Sequence, residues 1–190
     1  LDIETLNIQD SVLGLPSDNE PFELPRWPEF LPAIDLPMTI AVDDLKITRL
    51  LIQDPREKLV LIHKADAKLT LAKGRVDLPR LNIDSDRGLL DLKGEYVPRE
   101  KYRTRLDGHY VAVTKKGIEP ARLNLNAKGN IDDFILKLDG NAPSPVLVNL
   151  RLQDGSTKPH WSFNTTSEQL LLEHFGLPAD QPYAFSLSGK

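Results

Sequence analysis

The chain has 190 residues, of which 24 are Lys or Arg, 28 are Asp or Glu, 4 are His and none is Cys. At roughly 150 residues per domain this is one large domain or one and a half, and Leu, Ile, Val and Phe supply 58 of the residues, well clear of the roughly 20% below which chains stay disordered. The net charge of −4 argues against a general nucleic-acid binder, which needs a basic surplus, and the missing cysteines exclude disulfides, thiolate zinc sites, iron–sulfur clusters and cysteine nucleophiles.

The longest bulky apolar run is Leu59 to Ile62, far short of the ~20 residues that span a bilayer. The chain opens at Leu1 with Asp2 and Glu4 where a signal peptide carries positive charge, so it reads as a piece or processed form whose anchor lies outside it. Leu1, Ile3, Leu6 and Ile8 indicate one leading strand over 1–13. Pro16, Pro21, Pro25, Pro28, Pro32 and Pro37 then remove backbone donors too often for a helix or a central strand, which makes 14–37 a connector. Its Phe22, Leu24, Trp27, Phe30, Leu31 and Ile34 are too many for a solvated linker, so it should pack on the sheet that follows.

From 38 to 190 the signal has a period of two, as half-buried strands require. Met38, Ile40 and Val42 share one face; Leu45 and Ile47 are then odd and Leu50 and Ile52 even again, a slip that β-bulges at Asp43-Asp44 and near Thr48-Arg49 would repair. The alternation continues through Leu69 and Leu71, Val76 and Leu78, Leu81 and Ile83, Leu90 and Leu92, Leu123 and Leu125, Leu136 and Leu138, then Val146, Val148, Leu150 and Leu152. About a dozen strands are expected, with neighbours in sequence adjacent in the sheet. Lys73-Gly74, Arg87-Gly88, Asp107-Gly108, Asp139-Gly140 and Asp154-Gly155 read as turns. One short helix is predicted over Ser167 to Phe175, ended by Gly176 and Pro178. A recurring Leu-x-Gly closes on Gly94, Gly108, Gly140 and Gly189 at irregular spacing, a habit of strand ends rather than a solenoid period.

Catalytic motifs are missing: there is no Gly-x-Ser-x-Gly, Walker loop, His-Glu-x-x-His or Rossmann glycine pattern, so neither an enzyme nor a cofactor is expected. His63, His109, His160 and His174 are scattered and read as surface or strand-end residues, and no metal site is placed on them. Asp84-Ser85-Asp86-Arg87-Gly88 has its glycine one position too early for a calcium loop and reads as a hairpin turn. Arg99, Lys101, Arg103 and Arg105 share one parity and form a basic stripe, read as a solvated face or a charged edge. Asn164-Thr165-Thr166 matches a glycosylation triplet and decides nothing. The sheet carries Leu on one face and Asp, Asn, Lys and Arg on the other. Two readings stay open for its apolar side: a sandwich or closed barrel that covers it, or a curled sheet left as a groove. An unrelated β-rich hydrolase or carbohydrate-binding module is a further alternative.

The run Asp35-Leu36-Pro37-Met38-Thr39-Ile40-Ala41-Val42-Asp43-Asp44-Leu45 after a Pro-rich connector, then Leu81-Asn82-Ile83-Asp84-Ser85-Asp86-Arg87-Gly88-Leu89-Leu90-Asp91-Leu92-Lys93-Gly94, resembles the TamB family, inner-membrane subunits of the bacterial translocation and assembly module. The closing Tyr183-Ala184-Phe185-Ser186-Leu187-Ser188-Gly189-Lys190 is similar to another strand end of that family. The resemblance covers most of residues 24 to 190, an internal piece of the periplasmic region, and each motif is loose, so its specificity lies in their order. It implies an all-β fold, one long antiparallel sheet curled into a U-shaped groove (β-taco) as in AsmA-like and bridge-like lipid-transfer proteins. It also implies phospholipid passage between inner and outer membrane, or assembly of outer-membrane β-barrels and autotransporters with TamA, which would engage parts of the protein beyond this sequence. Under that resemblance the partners are phospholipid acyl chains and neighbouring modules of the same chain, the location is the periplasm, tethered to the inner membrane from outside this sequence, and nucleic acid is no partner. The groove lining is then Met38, Ile40, Val42, Leu69, Leu71, Leu81, Ile83, Leu90, Leu92, Leu123, Leu125, Leu136, Leu138, Val146, Val148 and Leu150.

Overall fold

Alternating apolar residues, with turns every ten or so positions, leave the chain little choice but a meander of hairpins. The computed structural model describes residues 1–15, 31–34, 36–53, 58–113, 119–170 and 183–189. It has β1 (Asp2–Gly14), β2 (Ile40–Gln53), β3 (Lys58–Ala72), β4 (Arg75–Ser85), β5 (Gly88–Val97), β6 (Arg103–Ala112), β7 (Arg122–Asn130), β8 (Asp133–Asn141), β9 (Pro145–Gln153), β10 (His160–Leu170) and β11 (Tyr183–Gly189). All eleven lie in one sheet, in the order of the sequence. Ten of the expected dozen or so strands follow one another antiparallel from β2 to β11. The exception is β1, which pairs with β2 in parallel, a sense that alternation alone does not encode.

All extensive strand-to-strand contacts among the described residues run between sheet neighbours, so no second described sheet covers the first and β1 does not close onto β11. The sandwich and the closed barrel are thereby excluded. One face is nevertheless shielded. Along β7, Leu123 and Ala127 are buried and Leu125 half-buried, while Arg122, Asn124, Asn126 and Lys128 between them are exposed. Residues of β5, β6, β7, β8, β9 and β10 also meet around a single cavity of about 250 Å³, which a flat sheet with strands about 4.8 Å apart could not arrange. The sheet curls toward its apolar side.

Both expected bulges are present in different forms. The register of β2 on β3 shifts between Val42 and Leu45, as Asp43-Asp44 requires. At Thr48-Arg49 the register of β2 on β3 runs on without a shift, and Arg49 takes a left-handed φ of 56° opposite Asp10 of β1 at 49°. The extra residue is shared by β1, β2 and β3 and surfaces as a shift against β4 between Ile62 and Lys64. Arg49 donates two hydrogen bonds to the Asp10 carboxylate. A further shift falls between Leu78 and Leu81, where Pro79 has no amide to offer the ladder.

Lys73-Gly74, Arg87-Gly88 and Asp154-Gly155 lie at turns as expected, Gly74 with φ of 72°. Asp107-Gly108 and Asp139-Gly140 do not: the first sits inside β6, where the alternation runs on through Tyr110 and Ala112, and the second still belongs to the end of β8, where Gly140 pairs with Leu123 and Val146. The Leu-x-Gly habit has a packing cause there. Leu92 of β5 pairs with Gly108 of β6, and Gly94 of β5 with Leu106 of β6, so each leucine lies over the other strand's glycine. The predicted helix is also corrected: Ser167 to Leu170 continue β10, with Ser167 paired to Val146 and to Phe185, and the rest of that stretch, His174 included, lies outside the described residues. Phe22, Leu24, Trp27 and Phe30 of the connector lie outside them as well.

The two glycines should differ under substitution. A methyl at Gly94 would meet the Arg105 carbonyl oxygen at 2.5 Å, whereas one at Gly108 meets only the tip of Leu92 at 2.8 Å, which can turn aside. Gly94→Ala is expected to cost about 1–3 kcal/mol and Gly108→Ala less than about 1 kcal/mol, read as urea midpoints.

Candidate functional site: the inner face of the sheet

Cross-strand pairing carries one row of side chains over the whole inner face: Leu6, Leu45, Ala67, Leu81, Leu92, Gly108, Leu125, Leu138, Val148, Thr165 and Leu187. None is charged. With ten inter-strand steps of about 4.8 Å the row is about 48 Å long. A second row beside it runs Ile83, Leu90, Tyr110, Leu123, Gly140 and Val146. One step along the strands, the outer face reads Lys46, Asp66, Asn82, Asp91, His109, Asn124 and Asp139. These residues bond to one another: Asn82 donates to Asp66 at 2.8 Å, Asn126 to Asp107 at 2.6 Å, and His109 lies 3.0 Å from Asn124.

The pairing places Ile40, Val42, Leu69, Leu71, Leu81, Ile83, Leu90, Leu92, Leu123, Leu125, Leu136, Leu138, Val146, Val148 and Leu150 together on the inner side. Met38 lies just before β2 and is largely exposed. The middle of the face is the more enclosed part: Ala67, Leu123 and Val146 are buried, while Leu6, Phe163 and Leu187 near its two ends stay exposed. Sequence reasoning missed Tyr96, Leu106 and Tyr110, and also Phe134, Trp161 and Phe163, which belong to the same face. Trp161 and Phe163 carry a period-two signal, but serines and threonines on both faces of β10 blur it.

Along one rim, formed by the turns at 98–102, 131–132 and 154–159, the face narrows to the 250 Å³ cavity, lined by Tyr96, Tyr102, Thr104, Asn130, Ile131, Phe134, Leu150, Leu152 and Trp161 with Leu31 over it. Tyr96 donates its hydroxyl to the Pro32 carbonyl at 2.8 Å, and the Gly74 amide donates to Ile34 at 2.9 Å, so this described part of the connector lies against the sheet. Burial raises the Tyr96 hydroxyl above the ordinary tyrosine range. The three turns are joined by Asp132, whose carboxylate accepts from Lys101 Nζ at 2.7 Å and from the Ser156 amide at 2.9 Å. Those bonds hold the Asp132 carboxyl down at about 2. Along the opposite rim Ala112, Ala121, Leu123, Ala142 and Val146 form a buried cluster under Tyr110 and Leu138, and Tyr110 donates to the Arg87 carbonyl at 2.6 Å.

The other candidates fall to structural roles. Ser85 Oγ accepts from the Arg87 and Gly88 amides and donates to the Gly88 carbonyl, so Asp84 to Gly88 is a hairpin turn. The basic stripe is not one strand face: Arg99 and Lys101 belong to the turn before β6, and Arg103 pairs with Glu95 and Glu100. His63 lies 3.5 Å from Asp84 and His160 3.9 Å from Asp154, and no group of three potential metal ligands is found among the described residues. No described helix is long and apolar enough to cross a membrane.

A search of characterised proteins and one of solved structures found no match. The family model of the TamB N-terminal domain matches residues 16–189. The chain belongs to the TamB family. The match takes in β2 to β11 and the connector, whereas β1 lies ahead of it. For this TamB-family domain the Asp132 clasp gives a pH test. A carboxylate held below its usual value stabilises the fold fully above about pH 4 and loses that contribution as pH falls toward 2. Asp132→Asn is therefore expected to lower the melting temperature at pH 7, with the gap to the parent closing between pH 5 and pH 2; a gap independent of pH would remove the charge from the account.

Proposed function

We propose that this chain is one section of a periplasmic hydrophobic conduit that carries phospholipid between the inner and outer membranes and so contributes to outer-membrane biogenesis. The observation that supports this reading most is the uncharged row from Leu6 to Leu187, which crosses all eleven strands without a second sheet over it among the described residues. Acyl chains would lie along the row, each methylene withdrawn from water recovering about 0.8 kcal/mol, while headgroups stay hydrated along the open side. Aliphatic walls with few fixed hydrogen-bond partners hold no single position strongly, which suits sliding better than storage. The family to which the chain belongs favours the same reading. The tether to the inner membrane would be supplied by a segment outside this sequence.

Among the described residues β11 pairs with β10 alone, which supports a second reading, in which an unfolded barrel strand pairs with that edge and the sheet assists outer-membrane protein assembly together with TamA. The two separate experimentally. With a photo-crosslinking residue at Leu125 and, as the outer-face control, at Asn124 in the intact protein in cells with labelled phospholipid, the conduit predicts lipid adducts at Leu125 and none at Asn124. Leu138→Arg should cut the Leu125 adduct at least tenfold. Lipid at neither position in folded protein, or full function in Leu138→Arg with loss on proline substitution in β11, would favour strand capture.

A further inference from the structure

The rim cavity differs from the rest of the inner face in three respects. It is enclosed by aromatic side chains, Tyr96, Tyr102, Phe134 and Trp161, where the open face is aliphatic. Its 250 Å³ is about eight times the roughly 30 Å³ that one water occupies in the liquid, room for a short run of methylenes, and its lining holds no charged side chain to meet a headgroup. And one wall does not come from the sheet: Leu31 reaches it from the connector. Among the described residues the strap that carries Leu31 is fastened through two carbonyls, Pro32 to the Tyr96 hydroxyl and Ile34 to the Gly74 amide. Pro32 has no amide of its own, so at this point the strap cannot donate to a strand ladder.

We propose that this cavity takes the end of one phospholipid alkyl chain and that the Leu31 strap, as its outer wall, gates the entry of that chain. The inference rests on the conduit reading and adds a gate to it. Leu31 supplies aliphatic carbon of the kind a chain end would present, the surrounding aromatic rings offer apolar contact without demanding a hydrogen bond, and Phe134 and Leu152 continue the cavity into the apolar inner face. If only the Leu31–Pro32 end lifts, the bond given up is that of the Tyr96 hydroxyl, which lies at the rim where water can reach it, while the Ile34 carbonyl keeps the amide of the buried Gly74 paired.

The test places a benzoyl-phenylalanine photo-crosslinker at Phe134, inside the cavity, and separately at Leu125, on the open face, in the intact protein in cells whose phospholipids carry radioactive phosphate. Tyr96→Phe removes the hydroxyl that holds Pro32 and keeps the ring, so it should raise the lipid adduct at position 134 at least twofold and leave position 125 unchanged. Leu31→Trp fills the cavity and should lower the adduct at 134 at least threefold, again without effect at 125. Adducts at 125 with none at 134, or a yield at 134 that neither substitution moves, would overturn the strap while the conduit stands. Absence of lipid at both positions in folded protein would overturn both.

Discussion

An unpaired apolar face is the constraint on which this molecule is built. A sheet of eleven strands with leucine on one side must hide that side from water, and the described residues provide neither a second sheet nor a helix to cover it. Curling is the remaining solution. When the sheet bends toward its apolar side, each leucine is shielded by the side chains of the next strands, and Ala67, Leu123 and Val146 reach core-like burial in a one-layer fold. The concave side then becomes crowded, and small residues relieve the crowding: Ala65 and Ala67 on β3, Ala127 on β7, and the reciprocal glycines of β5 and β6. Leucine supplies the shielding and glycine the room to bend.

The polar face answers the opposite need. Being convex, it spreads its side chains apart, which suits long charged groups, and neighbours of opposite sign settle into pairs such as Lys68 with Asp43, Lys137 with Asp139 and Arg151 with Asp133. Exposed pairs of this kind contribute little energy each. Their larger effect is to keep unpaired charge off the outer surface while leaving the inner surface free of it. The rims are treated differently again, with backbone and side-chain bonds tying successive turns together through Asp132 on one side and through Arg87 and Asp86 on the other. The edges along which the groove opens are therefore stitched, and the floor between them is smooth.

What could be read from the residues followed the contrast between faces. Where Leu or Val alternated with Asp, Asn or Lys, as from Leu81 to Leu92 and from Leu123 to Leu138, strands, faces and partners were legible. The parity slips at Asp43-Asp44 and Thr48-Arg49 revealed the bends, although not that the second is shared across three strands. β6 was hidden because its inner side holds Thr104, Leu106, Gly108 and Tyr110, only one of them a large aliphatic, while its first residues looked like a basic stripe. β10 was hidden because Ser162, Asn164 and Thr166 differ little in polarity from the Thr165 and Ser167 of the other face, and because the leucine run that begins at its last residue, Leu170, has helical spacing in the sequence. The parallel sense of β1 and the rim cavity are tertiary facts: periodicity fixes which side a residue faces, but not which way an adjacent strand runs or how tightly the sheet must curl to bring Tyr96 and Trp161 to one space.

Because each strand packs chiefly on the strands beside it, the fold has no single centre. A globular core cannot gain two strands without repacking everything around it. Here an added hairpin would extend the trough by about 9–10 Å and change the surroundings of nothing but the two strands it separates. The span of such a structure is thus adjustable in hairpin-sized increments, and the distance it bridges is set by the number of hairpins, much as the length of a ladder is set by its rungs.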